Sequence, residues 1–190
     1  MISRPEYSIL VAPIGEIEPV LCESIRCRIE DIYRLRSEVQ CILKDVDFAF
    51  NPERRQYHST PILAQLAAAA PVRALKLVAI TQVDLFIPIL THVYGEAQLG
   101  GKAAIISTYR LTDENLAAGS DASLQIRAAK EAIHELGHTF KLRHCPEHSC
   151  IMHYCRSIKD VDRKLNQLCR HCKVMLHDEL KCLGLKQEVP

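Results

Sequence analysis

Two histidines four residues apart, with a glutamate after the first, form the run His134-Glu135-Leu136-Gly137-His138. On an α-helix such histidines differ by only about 40° in direction, so both imidazoles leave one face and can share a metal ion. Glu135 is turned by about 100° from His134, close enough to reach a water on that metal without binding the metal itself. Zinc suits imidazole ligands and lowers the pKa of a bound water towards about 7; a carboxylate beside it can take the proton as the water attacks a carbonyl. His144 follows six residues after His138. A continuing helix would turn it by about 240°, onto the wrong side, so the helix must stop and reverse between Phe140 and Arg143. Three histidines leave one coordination position open, as in catalytic rather than structural zinc. The chemistry predicted is hydrolysis of a peptide bond, with zinc on His134, His138 and His144 and with Glu135 as general base and then proton donor to the leaving amine. A bare H-E-x-x-H arises by chance in many helices; the third histidine at this spacing makes the difference.

A second metal is suggested by the cysteines. There are nine, an odd number, in a chain whose first residues (Met1-Ile-Ser-Arg-Pro-Glu) lack the apolar run of a secretory signal. The expectation is a cytoplasmic chain with reduced thiols, in which cysteines serve metals more readily than disulfides. Cys145 and Cys150 form C-x4-C, and Cys169 and Cys172 form C-x2-C. Four thiolates close a tetrahedral zinc site with no vacancy for substrate, and Cys145, next to His144, would anchor the turn that delivers the third histidine. A thioredoxin-like redox role for Cys169 and Cys172 competes, but no strand precedes that pair. Cys155 is a substitute ligand, and Cys22, Cys27, Cys41 and Cys182 read as small buried hydrophobes. His148, His153 and His171 are expected on the surface or around the ligands.

H-E-x-x-H with a third histidine ten residues after the first resembles the metzincin signature. Its continuation through Cys145, Cys150-Ile-Met152 and Cys169-Arg-His-Cys172 closely resembles the archaemetzincins, as do Arg55-Gln-Tyr57-His-Ser59-Thr60 and Val93-Tyr-Gly95-Glu-Ala97. The resemblance covers most of the chain. It implies an α/β fold with a twisted mixed sheet, a long active-site helix and a small zinc-organised C-terminal subdomain, divided as residues 1–144 and 145–190. It also implies a Met-turn that places Met152 beneath the histidines as packing support, and a Tyr154 hydroxyl able to donate to a developing oxyanion. The segment His92 to Gln98 is similar to the metzincin edge strand, along which an extended peptide can pair. The expected holoprotein is a monomer with two zinc ions, one catalytic and one structural. One position departs from the pattern: metzincins usually have glycine where this chain has Lys141. Either Lys141 adopts a left-handed conformation costing on the order of 1–2 kcal/mol, or the turn is built differently.

The elements that must position these residues alternate along the chain. Strands are expected at Ser8–Val11, Val39–Val46, Leu75–Thr81, His92–Gln98 and Ala103–Thr108, with Gly100-Gly101 as a turn between the last two. Helices are expected at Glu18–Arg36, Pro61–Ala70 and Asp121–Lys141, the last capped by Ser120 or Asp121 and carrying Leu124, Ile126, Ala132, Ile133 and Leu136 as apolar positions. Asn51–Ser59 reads as a loop, and beyond His144 periodicity collapses. The 190 residues are 48% hydrophobic without a tryptophan, enough for one aliphatic core. A net charge of +1 argues against nucleic acid or anionic membrane as partner, although the tail from Arg156 is locally basic. The most apolar stretch, Pro71 to Leu90, is broken by Arg73, Lys76, Gln82 and Asp84, so no membrane span is expected. Lys141, a long cation near the site, favours an alternative: a zinc-bound binding or regulatory protein with little turnover. A zinc module acting on nucleic acid is weaker still, given few aromatics.

Overall fold

The computed structural model describes residues 7–112 and 121–185. Five strands make a mixed sheet: β1 (Ser8–Pro13), β2 (Ser37–Val39), β5 (Ala74–Thr81), β7 (Gly95–Ala97) and β8 (Ala103–Ser107), in the order β2-β1-β5-β8-β7. All neighbours are parallel except the β7–β8 pair, which is antiparallel and leaves β7 as an edge. The strands are apolar on both faces because helices cover both sides. Alternate residues point to opposite sides: Ile9, Val11, Val78, Ile80, Ala104 and Ile106 meet α1 (Pro19–Tyr33) and α3 (Asp121–Thr139), whereas Leu10, Leu77, Ala79 and Ile105 meet α2 (Ser59–Ala69). The helix α1 buries Leu21, Cys22, Ile25, Ile29 and Tyr33 at helical spacing. The Tyr33 hydroxyl donates to Ile133 O at 2.7 Å and its ring stacks on Phe140, which ties α1 to α3.

Several expectations need correction. The second strand stops at Val39 instead of running to Val46. Ile9 N–H donates to Arg36 O across that ladder, so the donors facing β2 alternate along β1 and the next place after Val11 falls on Pro13, which has no amide hydrogen. Asn51–Ser59 is no plain loop. Its ends belong to a small sheet of β3 (Phe50–Asn51), β4 (Gln56–His58) and β6 (Leu85–Phe86). Cys27, Cys41 and Cys182 are exposed, and only Cys22 of the four expected hydrophobes is buried. Ile126 faces solvent, whereas Ala132, Ile133 and Leu136 are buried. The Ser120 cap lies outside the described residues, as does the Asp121 side chain.

Beyond His144 there is more regular structure than periodicity suggested. The helix α4 (Ile158–Arg163) opens with a reciprocal Ser157/Asp160 cap. The helix α5 (Arg170–Cys182) buries Cys172, Leu176 and Leu180, spaced four apart. Cys172 is both the first place of that apolar stripe and a candidate ligand. Among the described residues no helix is long and apolar enough to cross a membrane.

Candidate metal centre and cleft

The helix α3 presses Ala128, Ala132, Ile133 and Leu136 into the core and turns His134, Glu135 and His138 towards a cleft of about 360 Å³. The two imidazoles are fixed through their outer nitrogens: His134 Nδ1 lies 2.9 Å from Ile151 O, and His138 Nδ1 lies 2.7 Å from Leu142 O. A carbonyl only accepts, so each Nδ1 carries the proton and each Nε2 is left with a lone pair. Those two Nε2 atoms point at each other across 3.2 Å. Two facing lone pairs repel unless a cation lies between them, which is what a metal site requires. His144 completes the set, its ring 5.2 Å from that of His134 and 4.9 Å from that of His138. One ligand atom from each of the three histidines lies within 4.8 Å of the others. Burial lowers the pKa of all three, keeping them neutral and able to ligate. Burial also pushes the Glu135 carboxyl well up, and the nearby Glu131 pushes it further.

His144 reaches this position because α3 ends in a tight reversal. Leu142 N–H donates to Gly137 O at 3.0 Å and Lys141 N–H to His138 O at 2.9 Å, the pairing of a Schellman turn. Such a turn needs a left-handed residue, and Lys141 takes that place with φ 63°. So the expected turn forms with its usual geometry, and the lysine bears the strain. Its ammonium lies 3.0 Å from Glu179 of α5 and its stem packs over Gly100, so Lys141 does not line the cleft. This removes the feature that favoured a binding protein without turnover. A second lysine, not singled out by the sequence, serves the same turn. Buried Lys76 donates to Thr139 O at 2.6 Å and Gly101 O at 2.7 Å, capping carbonyls at the helix end.

Met152 is fully buried beneath this helix. Its sulfur approaches Gly137 so closely that a Cβ there would collide with it, which explains a glycine in the interior of α3. Gly95 of β7 has a comparable constraint: a Cβ would come within 2.7 Å of both Glu135 Cγ and Ile105 O. Both glycines lie in runs that the sequence singles out, but a close approach between distant segments leaves no local signal of why they must be glycine. The edge β7 therefore runs directly past Glu135. Glu96 fixes that strand to the start of α2 by accepting hydrogen bonds from Ser59 Oγ and Thr60 Oγ1. Tyr154, half-exposed, lies with its ring 5.1 Å from that of His144 at the mouth of the cleft.

Cys145, Cys150, Cys169 and Cys172 bring their sulfurs within 4.8 Å of one another. Cys145 and Cys169 are 3.7 Å apart, as are Cys150 and Cys172. Cys169 occupies the N-cap position of α5, and its own amide donates to Cys150 Sγ at 3.3 Å. Burial opposes charge on Cys169, yet hydrogen bonds from Cys172 and the neighbouring thiols hold its pKa below the ordinary thiol value. The cluster is tied to the histidine turn by Cys145 N–H donating to Met152 O at 2.9 Å, and by His153 Nδ1, 2.8 Å from Cys145 O. Cys155 lies in the cleft instead, outside both ligand groups.

Three imidazoles around one point, a carboxylate beside them and an open sheet edge along the same cleft define the class of zinc-dependent peptidases. The family model described as peptidase family M54 matches residues 24–178. The archaemetzincin of Methanocaldococcus jannaschii is 35% identical over 175 residues, covering 90% of this chain and 93% of that protein. The archaemetzincin of Pyrococcus furiosus is 35% identical over 179 residues, covering 90% and 93%. The crystal structure of archaemetzincin from Methanopyrus kandleri superposes with a TM-score of 0.84 at 27% identity, over 95% of this chain and 99% of that one. The chain belongs to peptidase family M54, the archaemetzincins, and is a zinc metallopeptidase.

Proposed function

We propose that the chain hydrolyses peptide bonds at the His134–His138–His144 centre, with Glu135 as general base. The observation that carries this is the pair of facing, proton-free Nε2 atoms with His144 beside them and Glu135 in the same cleft. Zinc held there supplies a Lewis acid that polarises a substrate carbonyl and acidifies water. An extended peptide pairs with the free edge of β7, which sets its scissile carbonyl beside Glu135. Glu135 takes the proton of the attacking water and returns it to the leaving amine. The Tyr154 hydroxyl donates a hydrogen bond to the oxyanion, and Met152 supports the imidazoles from below.

The reading includes a second, structural zinc on Cys145, Cys150, Cys169 and Cys172, in a segment from residue 145 that acts as a metal-organised subdomain. All seven ligands come from one chain, so a monomer suffices. The test is Glu135→Gln. Zinc content should stay at the wild-type level while kcat/KM for peptides falls by about 10²–10⁴. Full activity in a zinc-replete Glu135→Gln protein would exclude this role.

A further inference from the structure

Glu131 stands three residues before His134 and four before Glu135, so it shares their face of α3 one turn, about 5 Å, towards the N-terminus. It lines the same cleft as the histidines, Tyr154, Cys155 and Arg156. One of its carboxylate oxygens accepts a hydrogen bond from Lys164 Nζ at 2.8 Å; the two side chains are 4% and 0% exposed. Lys164 arrives from the C-terminal end of α4. A buried pair of this kind adds little net stability, because desolvating two charges offsets their attraction.

Nor is the pair needed to dock α4 on α3. Arg127 already holds Asp162 through two bonds of 2.7 Å, and Lys130 donates to the carbonyls of Val161 and Asp162. Glu131 differs from these in opening on the cleft. Its second oxygen has no hydrogen-bond partner among the described residues, and it is not a fully enclosed atom. The nearby charges leave that oxygen available. Glu96 is engaged by Ser59 and Thr60, and Arg156 lies with its guanidinium 6.0 Å from the Tyr154 ring.

We propose that Glu131, backed by Lys164, is the specificity-determining base of a subsite for one substrate side chain flanking the scissile bond, and that it selects lysine or arginine over apolar and acidic side chains. The proposal rests on reading the cleft as a peptidase site. Lys164 approaches from α4 and pins one oxygen, so the other is a preoriented acceptor. A cationic side chain gains a charge-assisted hydrogen bond there. An apolar side chain strips water from the oxygen and returns nothing, and an acidic one sets a second carboxylate against an oxygen that only accepts.

The test is calorimetric binding of peptide hydroxamates to the zinc-loaded full chain. Two series carry lysine, leucine or glutamate on one side or the other of the metal-binding group. In one series the lysine compound should bind about tenfold tighter than the leucine compound, with glutamate weakest. In Glu131→Gln that lysine-to-leucine ratio should fall to about one. The double variant Glu131→Gln/Lys164→Met avoids leaving a buried ammonium unpaired, and should also lose the preference. Equal weakening of every compound would assign the pair to structure alone and overturn the proposal. So would the absence of any preference in the wild type, or of any binding. If the order holds but no peptide is cleaved, the peptidase reading falls and the subsite stands; unselective cleavage has the reverse meaning.

Discussion

Lys141 holds a left-handed conformation at φ 63° where glycine would be unstrained, a cost on the order of 1–2 kcal/mol. Its ion pair with Glu179 returns only part of that, since the lysine side chain is 63% exposed and such pairs contribute about 0–1 kcal/mol. Lys141→Gly should therefore raise the stability of the zinc-loaded protein by about 1 kcal/mol in urea unfolding, with zinc content and activity unchanged. Gly95 is the opposite case. In Gly95→Ala the new methyl meets Glu135 Cγ and a β8 carbonyl, so Glu135 or the edge strand must move. Activity should drop by about 10²-fold with metal content retained, as expected when the proposed general base is misplaced by about 1 Å. Unaltered kinetics in that variant would mean that β7 yields without disturbing Glu135.

At the scale of elements, α3 is the common support. It turns the histidines towards the cleft, and on another side it holds α4 through Arg127 and Lys130. The Arg127 guanidinium, hydrogen-bonded to both Asp162 oxygens, holds the Asp162 carboxyl below its ordinary value. A depressed folded-state pKa contributes stability above the unfolded value, and that contribution is lost as pH falls through the folded one. Thermal melts of wild type and Asp162→Asn should thus differ in favour of wild type near neutral pH and converge as pH falls from about 5 towards 2. Asp162 is 46% exposed at its side chain, so the difference is small. A gap that widens in acid would mean that Asp162 is not the acceptor that matters.

For the whole molecule, the two candidate ligand groups adjoin in the chain at His144-Cys145, and the Cys145–Met152 hydrogen bond ties the cysteine cluster to the segment packed against Gly137 of α3. Elemental analysis should find two zincs per wild-type chain and one in His134→Ala, which loses activity but keeps most of its stability. Replacing Cys169 and Cys172 by serine should lower Tm by about 10 °C, because loss of a structural metal removes several kcal/mol. Activity should fall with it, because the turn that delivers His144 loses its anchor. One zinc in both wild type and His134→Ala would overturn the two-site arrangement.

The ligand candidates and the main elements could be read from the sequence because their signals are local. Helical spacing puts His134 and His138 on one face, a third histidine forces a reversal, and paired cysteines are identified by residue type. The apolar runs likewise predict β1, β5, β8 and α1 to within a few residues of their ends. The short β3–β4–β6 sheet and the end of β2 depend on partners far along the chain, so local pattern could not supply them. Tertiary structure alone decided that Lys141 is strained and paired outside the cleft, that Lys76 caps α3, and that Gly95 and Gly137 are small because Glu135 and Met152 pass over them. It also decided that Lys164 meets Glu131 beside the histidines. The physical reason is common to all four. Each depends on the approach of side chains whose separation in sequence carries no information about their separation in space.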